Sequence, residues 1–101
     1  VNQLTSTPEV AYDALYKDYE SGLYREVLPK TEAAIEEFAG EEMLPKFELL
    51  KAYLLYKTVG EELFREKLNT IIVNYPNTEE SDHAEEALKK LSELKEEPQQ
   101  N

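Results

Sequence analysis

The chain has no cysteine, no tryptophan, one histidine and only three glycines in 101 residues. Without cysteine there is no disulfide framework and no thiolate metal site, and the redox compartment stays open. A single imidazole, His83, excludes a His-His or HExxH ligand set. Beside Asp82 near a helix start, it reads as a solvated surface residue. No glycine-rich phosphate cradle is present. No apolar run approaches the roughly 20 residues that span a bilayer, so this segment is not expected to insert into a membrane. The opening residues VNQLTSTPE lack a basic-then-apolar signal pattern. A start at Val1 rather than Met points to a processed protein or a piece of a larger one.

Positive charge is scarce too. Acids outnumber bases 22 to 11, for a net charge of −11. A surface of that sign repels phosphate backbones and anionic headgroups, which argues against nucleic acid as a partner. The excess is densest over residues 79–97, where eight acids face three lysines. This reads as a solvated helix face rather than an acidic docking tail.

What remains is helical. Strand signals are missing, with no alternating run and no Asn-Gly or Asp-Gly hairpin, while Ala, Leu, Glu and Lys are abundant. Gly22, Gly40 and Gly60 each follow a stretch of helical periodicity, where a left-handed residue ends a helix. The first helix should open at Ser6 or Thr7 with Pro8 at its first position and close near Ser21. Val10 and Ala14, with Ala11 and Leu15, are expected on its apolar side, and Tyr12, Tyr16 and Tyr19 stack at i, i+4 and i+7.

The second helix, residues 23–39, carries Tyr24, Val27, Leu28, Ala34, Ile35 and Phe38 on one stripe, opposite Glu32, Glu36 and Glu37. Pro29 removes one internal hydrogen bond at a cost of about 3 kcal/mol and predicts a kink at residues 25–28. The third helix should start near Glu42, with Pro45 in its first turn. It holds the most apolar stretch of the chain, FELLKAYLLYKTV at residues 47–59. Phe47, Leu50 and Leu54 form one stripe, Leu49, Tyr53 and Tyr56 a second, with Ala52, Leu55 and Val59 between them. Only Glu48, Lys51 and Lys57 need reach water, so this helix is expected mid-stack and most buried.

The fourth helix follows Gly60, with Phe64, Leu68, Ile71, Ile72 and Tyr75 on its face, and ends at Pro76. A fifth starts at the N-cap Thr78 and turns Ala84, Ala87, Leu88, Leu91 and Leu94 inward. The expectation is an all-α, five-helix domain at residues 8–95, between an N-terminal linker at 1–7 and a disordered tail at 96–101.

The two helix pairs repeat. A displacement of 37 residues lays Tyr19 on Tyr56 and Thr31 on Leu68, and periods of 20 to 50 mark solenoids. The pattern resembles the tetratricopeptide repeat (TPR), whose unit is two antiparallel helices. In the second unit Ala52 matches the small residue of the first helix and Leu55 and Tyr56 its large closing pair. Phe64, Leu68 and Ile71 match the second-helix contacts, and Pro76 the terminal proline. The first unit departs, with Leu15 at the small position, no terminal proline and about three extra residues around 39–43. The resemblance implies an α-solenoid of two TPR-like units closed by a C-terminal capping helix. The stretches LPKFELLKAYLLYKTVG and IIVNYPNTEESDHAEEAL are similar to TPR segments of bacterial envelope lipoproteins of gliding motility and type IX secretion. They are more distantly similar to those of barrel assembly and cell division.

That resemblance implies a protein-protein interaction scaffold, not an enzyme, that docks a peptide or another envelope-machine subunit without a cofactor. It implies the periplasmic face of the outer membrane, through an anchor outside this chain, with the cytoplasm as the alternative. In a TPR the first helices line the concave groove, which places Tyr12, Tyr16, Tyr19, Tyr53 and Tyr56 there with Lys46, Leu49 and Lys57. The same rings could equally be interhelix packing. The adjacent acid pairs point about 100° apart on a helix and do not converge on a metal or substrate. Two rival readings are a homo-oligomerisation module and a small metal-dependent enzyme on a helical bundle.

Overall fold

The computed structural model describes residues 7–96. The expected linker before Thr7 and the expected tail after Glu96 lie outside the described residues. Five helices follow one another: α1 Pro8–Glu20, α2 Tyr24–Glu37, α3 Leu44–Thr58, α4 Glu61–Asn74 and α5 Glu79–Glu96. The architecture is all-α, with each helix packed on the next in a solenoid-like order.

The ends of the helices follow from their capping chemistry. Thr7 Oγ1 accepts the Val10 N–H at 3.2 Å, and Pro8 occupies the first helical position, where no donor is missed. At the far end of α1 the Leu23 N–H reaches the Asp18 carbonyl and the Gly22 N–H that of Tyr19. This double closure needs a left-handed residue, and Gly22 supplies it at φ 87°. Asn77 performs the comparable turn between α4 and α5 at φ 67°, a conformation that asparagine tolerates better than most residues. Thr78 then ties the two helices: its hydroxyl donates to the Tyr75 carbonyl at 2.7 Å and accepts from the Ser81 N–H at 3.1 Å.

Three boundaries differ from expectation. The second helix begins at Tyr24 and ends at Glu37, one residue late and two early, because Leu23 and Phe38 are its caps. The third begins at Leu44 rather than Glu42, since residues 41–43 form turns bonded back to Phe38 and Glu41. Within these bounds the second helix is continuous through Pro29, which is exposed, so the proline does not split it in two.

α3 is the hub, packing against all four other helices. Its two apolar stripes go to different cores. Phe47, Leu50 and Leu54 join Leu15 of α1 and Val27, Ala34 and Phe38 beside α2. Ala52, flanked by Leu49 and Tyr53, joins Phe64, Leu68 and Ile71 of α4 and Ala84 and Leu91 of α5. Phe47, Ala52 and Leu54 are wholly buried, and the two large ones, Phe47 and Leu54, contribute about 1.5 to 3 kcal/mol each. Ion pairs run from the same helix to three neighbours: Lys51 to Glu32, Lys67 to Glu48, and Lys46 to Glu80.

The stack sorts into two layers. α1 touches α3 and α3 touches α5, whereas α2 and α4 make no comparable approach among the described residues. The three odd helices therefore lie side by side and share one face of the molecule.

Local periodicity misplaced several side chains. Val10 and Ala14 are exposed, and the buried residue of α1 is Leu15. The first helix has neighbours on one side only, so its contact arc is narrower than its apolar arc. Tyr56 and Val59 reach solvent, while Glu48 and Lys51 are half-buried in ion pairs rather than free in water. Leu94 is 63% exposed because α5, at 18 residues, outruns the 14 of α4 by about one turn.

Candidate functional site

The face shared by α1, α3 and α5 is concave, and tyrosine makes most of its surface. Tyr12, Tyr16 and Tyr19 project from α1 one turn apart, as their spacing requires, and stack at 5.9 and 5.8 Å between ring centroids. Four of the five rings also meet an aromatic ring outside the row. Tyr12 meets Phe47 edge to face at 5.6 Å, Tyr19 meets Tyr24 at 5.3 Å, and Tyr53 and Tyr56 lean on Phe64 at 5.3 and 4.7 Å. Aromatic pairs of this kind add about 0.5 to 1.5 kcal/mol beyond the area they bury.

Two adjoining hollows divide this face. The first, of about 370 Å³, lies among Tyr12, Tyr16, Tyr19, Lys46, Leu49 and Tyr53 on one side and Glu79, Glu80 and His83 on the other. The second, of about 450 Å³, runs from Tyr19, Tyr53, Tyr56 and Lys57 over Phe64 to Glu86, Lys90, Leu91 and Leu94. Tyr19, Tyr53 and His83 belong to both and form the saddle between them. All eight residues singled out from the sequence thus line one of the two hollows.

The hydroxyls of this row are unused. Among the described residues none of Tyr12, Tyr16, Tyr19, Tyr53 and Tyr56 makes a hydrogen bond through its hydroxyl within the protein. None of these oxygens is sealed from solvent without a partner either. The rings line the hollows with no internal partner for their hydroxyls among the described residues. The phenols of Tyr12, Tyr19 and Tyr53 are held above the ordinary tyrosine range, first by burial and then by one another's neighbourhood. Tyr12 feels Tyr16 and Glu80, Tyr19 feels Tyr24 and Tyr53, and Tyr53 feels Glu86 and Tyr16. They stay neutral through the physiological range and can both donate and accept.

The wall supplied by α5 was missed in the sequence. Glu79, Glu80, His83, Glu86, Lys90 and Leu91 complete the concavity. His83 is exposed, as expected, yet it sits at the saddle. Lys46 is paired, its Nζ lying 3.3 Å from the carboxylate of Glu80, a residue only 9% exposed. Lys57 is in no ion pair among the described residues, and its Nζ lies 5.6 Å from the centre of the Tyr24 ring. Tyr53 is half-buried and packs on the second core, so it is as much a structural ring as a groove ring.

No group of three or more His, Asp or Glu residues is placed to hold a metal ion among the described residues. No described helix is long and apolar enough to cross a membrane. Comparison of the sequence with known protein families and with curated proteins finds no match.

Proposed function

We propose that the chain is a non-enzymatic docking scaffold that holds a short peptide segment of a partner protein in the tyrosine-lined groove of α1, α3 and α5. One observation carries the reading. Five rings pack on one another or on core rings, yet none of their hydroxyls bonds within the protein among the described residues, which leaves each open to a partner's backbone. Such rings present rigid contact area at small entropic cost, with a polar tip for a peptide backbone. Phenols held protonated suit hydrogen bonding to a carbonyl better than attack on a substrate.

The resemblance to TPR segments extends the proposal. The helix pairs are TPR units with α5 as the capping helix, and the segment belongs to an envelope lipoprotein anchored outside this chain. It then serves a secretion or gliding-motility machine at the periplasmic face of the outer membrane, docking another subunit. A net charge of −11 disfavours nucleic acid in that role.

The test is selection of a displayed library of short random peptides against the full chain, followed by titration of the selected peptides. Tyr16→Ala, at a ring 41% exposed, and Tyr53→Phe, which removes only a hydroxyl, are expected to weaken binding several-fold with an unchanged melting curve. Selection of no peptide, or of peptides indifferent to both substitutions, overturns the reading.

A further inference from the structure

We propose that the groove is electrically polarised and takes its peptide in one direction, with the acidic side chains of the segment seated between Lys57 and Lys90. This rests on the docking reading and adds the chemistry of the occupant. The two hollows differ in charge. In the first, Lys46 is matched by Glu80 at 3.3 Å and Glu79 is left over, an excess of one negative charge. In the second, Lys57 and Lys90 face Glu86 alone, an excess of one positive charge.

Among the described residues, Lys46, Lys51, Arg65 and Lys67 are engaged in ion pairs; Lys57 and Lys90, like Lys17, Arg25, Lys30 and Lys89, are in none, but of these six only Lys57 and Lys90 line either hollow. With acids in twofold excess over bases, two lysines that line one hollow without an ion-pair partner leave a place for a carboxylate from outside. Lys57 comes from α3 and Lys90 from α5, on opposite walls of the same hollow. Lys57 also borders the depression beside Gly22, Tyr24 and Arg25, so it marks the rim of the groove rather than its floor.

The floor between the two lysines is apolar. Phe64 and Leu91 are buried beneath it, and Tyr56 and Leu94 flank it at 42% and 63% exposure. An occupant that satisfies both features carries a large apolar side chain over Phe64 and Leu91 with Asp or Glu beside it. Its other end crosses the Tyr19–Tyr53 saddle toward Glu79, where a neutral or basic residue is favoured. Two rim lysines on separate helices suit side-chain carboxylates along a passing segment, and this is the source we assign rather than a free C-terminus.

The experiment takes peptides selected against the full chain and compares each with three synthetic forms: Asp and Glu replaced by Asn and Gln, the C-terminus amidated, and the sequence reversed. Affinity is read by fluorescence anisotropy at low and high salt, for the natural chain and for Lys57→Glu with Lys90→Glu. Both lysines are exposed, and an unchanged melting curve verifies the fold of the double variant. The proposal expects about a tenfold loss for the neutralised peptide and for the double variant at low salt, mostly erased at 1 M salt. It expects little change on amidation, weaker binding of the reversed peptide, and broadening of amide signals near Lys57 and Lys90 by a nitroxide on the acidic end.

Peptides that bind through Tyr16 and Tyr53 but ignore both neutralisation and the lysine variants overturn the polarity and leave the docking reading standing. Loss of binding on amidation assigns the carboxylate to a terminus and overturns the side-chain source. If no peptide binds at all, the docking reading fails and this proposal fails with it.

Discussion

Tyr12 and Phe47 stand edge to face, with ring planes at 87° and centroids 5.6 Å apart. The contact joins the groove to the core, since Tyr12 belongs to the concave row while Phe47 is wholly buried and stacked on Phe38 at 5.6 Å. The shape of the concave face is therefore tied to the packing of α3.

Truncation within α3 should be severe. Leu54 is fully buried in the core shared with α1 and α2, so Leu54→Ala is expected to lower stability by about 2 to 5 kcal/mol in urea denaturation. His83→Ala, at an exposed site of α5, should stay within about 0.5 kcal/mol of the parent. A loss below half a kcal/mol for Leu54→Ala would contradict the central position of α3.

Thr31 makes an opposite prediction. It is wholly buried in α2, and its Oγ1 has no hydrogen-bond partner. An unpaired buried hydroxyl is destabilising by about 1 to 3 kcal/mol, and valine keeps the shape without the oxygen. Thr31→Val is expected to be neutral or to raise the denaturation midpoint. A loss above about 1 kcal/mol would show that the hydroxyl is satisfied in solution.

Alkaline titration reads the burial of the rings. Tyr12, Tyr19, Tyr53 and Tyr75 are all raised, first by burial, with Glu48 adding to Tyr75. Raised acids bind protons more tightly folded than unfolded, so their contribution is absent below the unfolded value near 10 and destabilises above it. The melting temperature should fall as pH climbs through 10. Phenolate absorbance of the native chain should also lag behind that of the urea-unfolded chain, whereas coincident curves would mean solvated rings.

Much of the fold was legible because its signals are local. Thr7, Pro8, Gly22 and Thr78 announce helix ends through their own backbone chemistry, and the two stripes of residues 47–59 point to two separate cores. The row of Tyr12, Tyr16 and Tyr19 follows from helical spacing alone. What escaped depends on partners far along the chain. The Lys46–Glu80 pair spans α3 and α5 and leaves no mark near either residue. The α5 wall was invisible because periodicity shows which face is apolar, not which helix its polar edge borders. Thr31 lies on the buried stripe between Val27 and Ala34, and only its polarity hid it.

Heteronuclear NMR of the labelled chain during titration with a selected peptide tests the docking groove most directly. The account predicts that perturbed amides and tyrosine ring signals concentrate at Tyr12, Tyr16, Tyr19, Leu49, Tyr53 and Tyr56, together with His83, Glu86 and Lys90 across the groove. Shifts confined to α2 and α4, with the tyrosine rings unmoved, would contradict it.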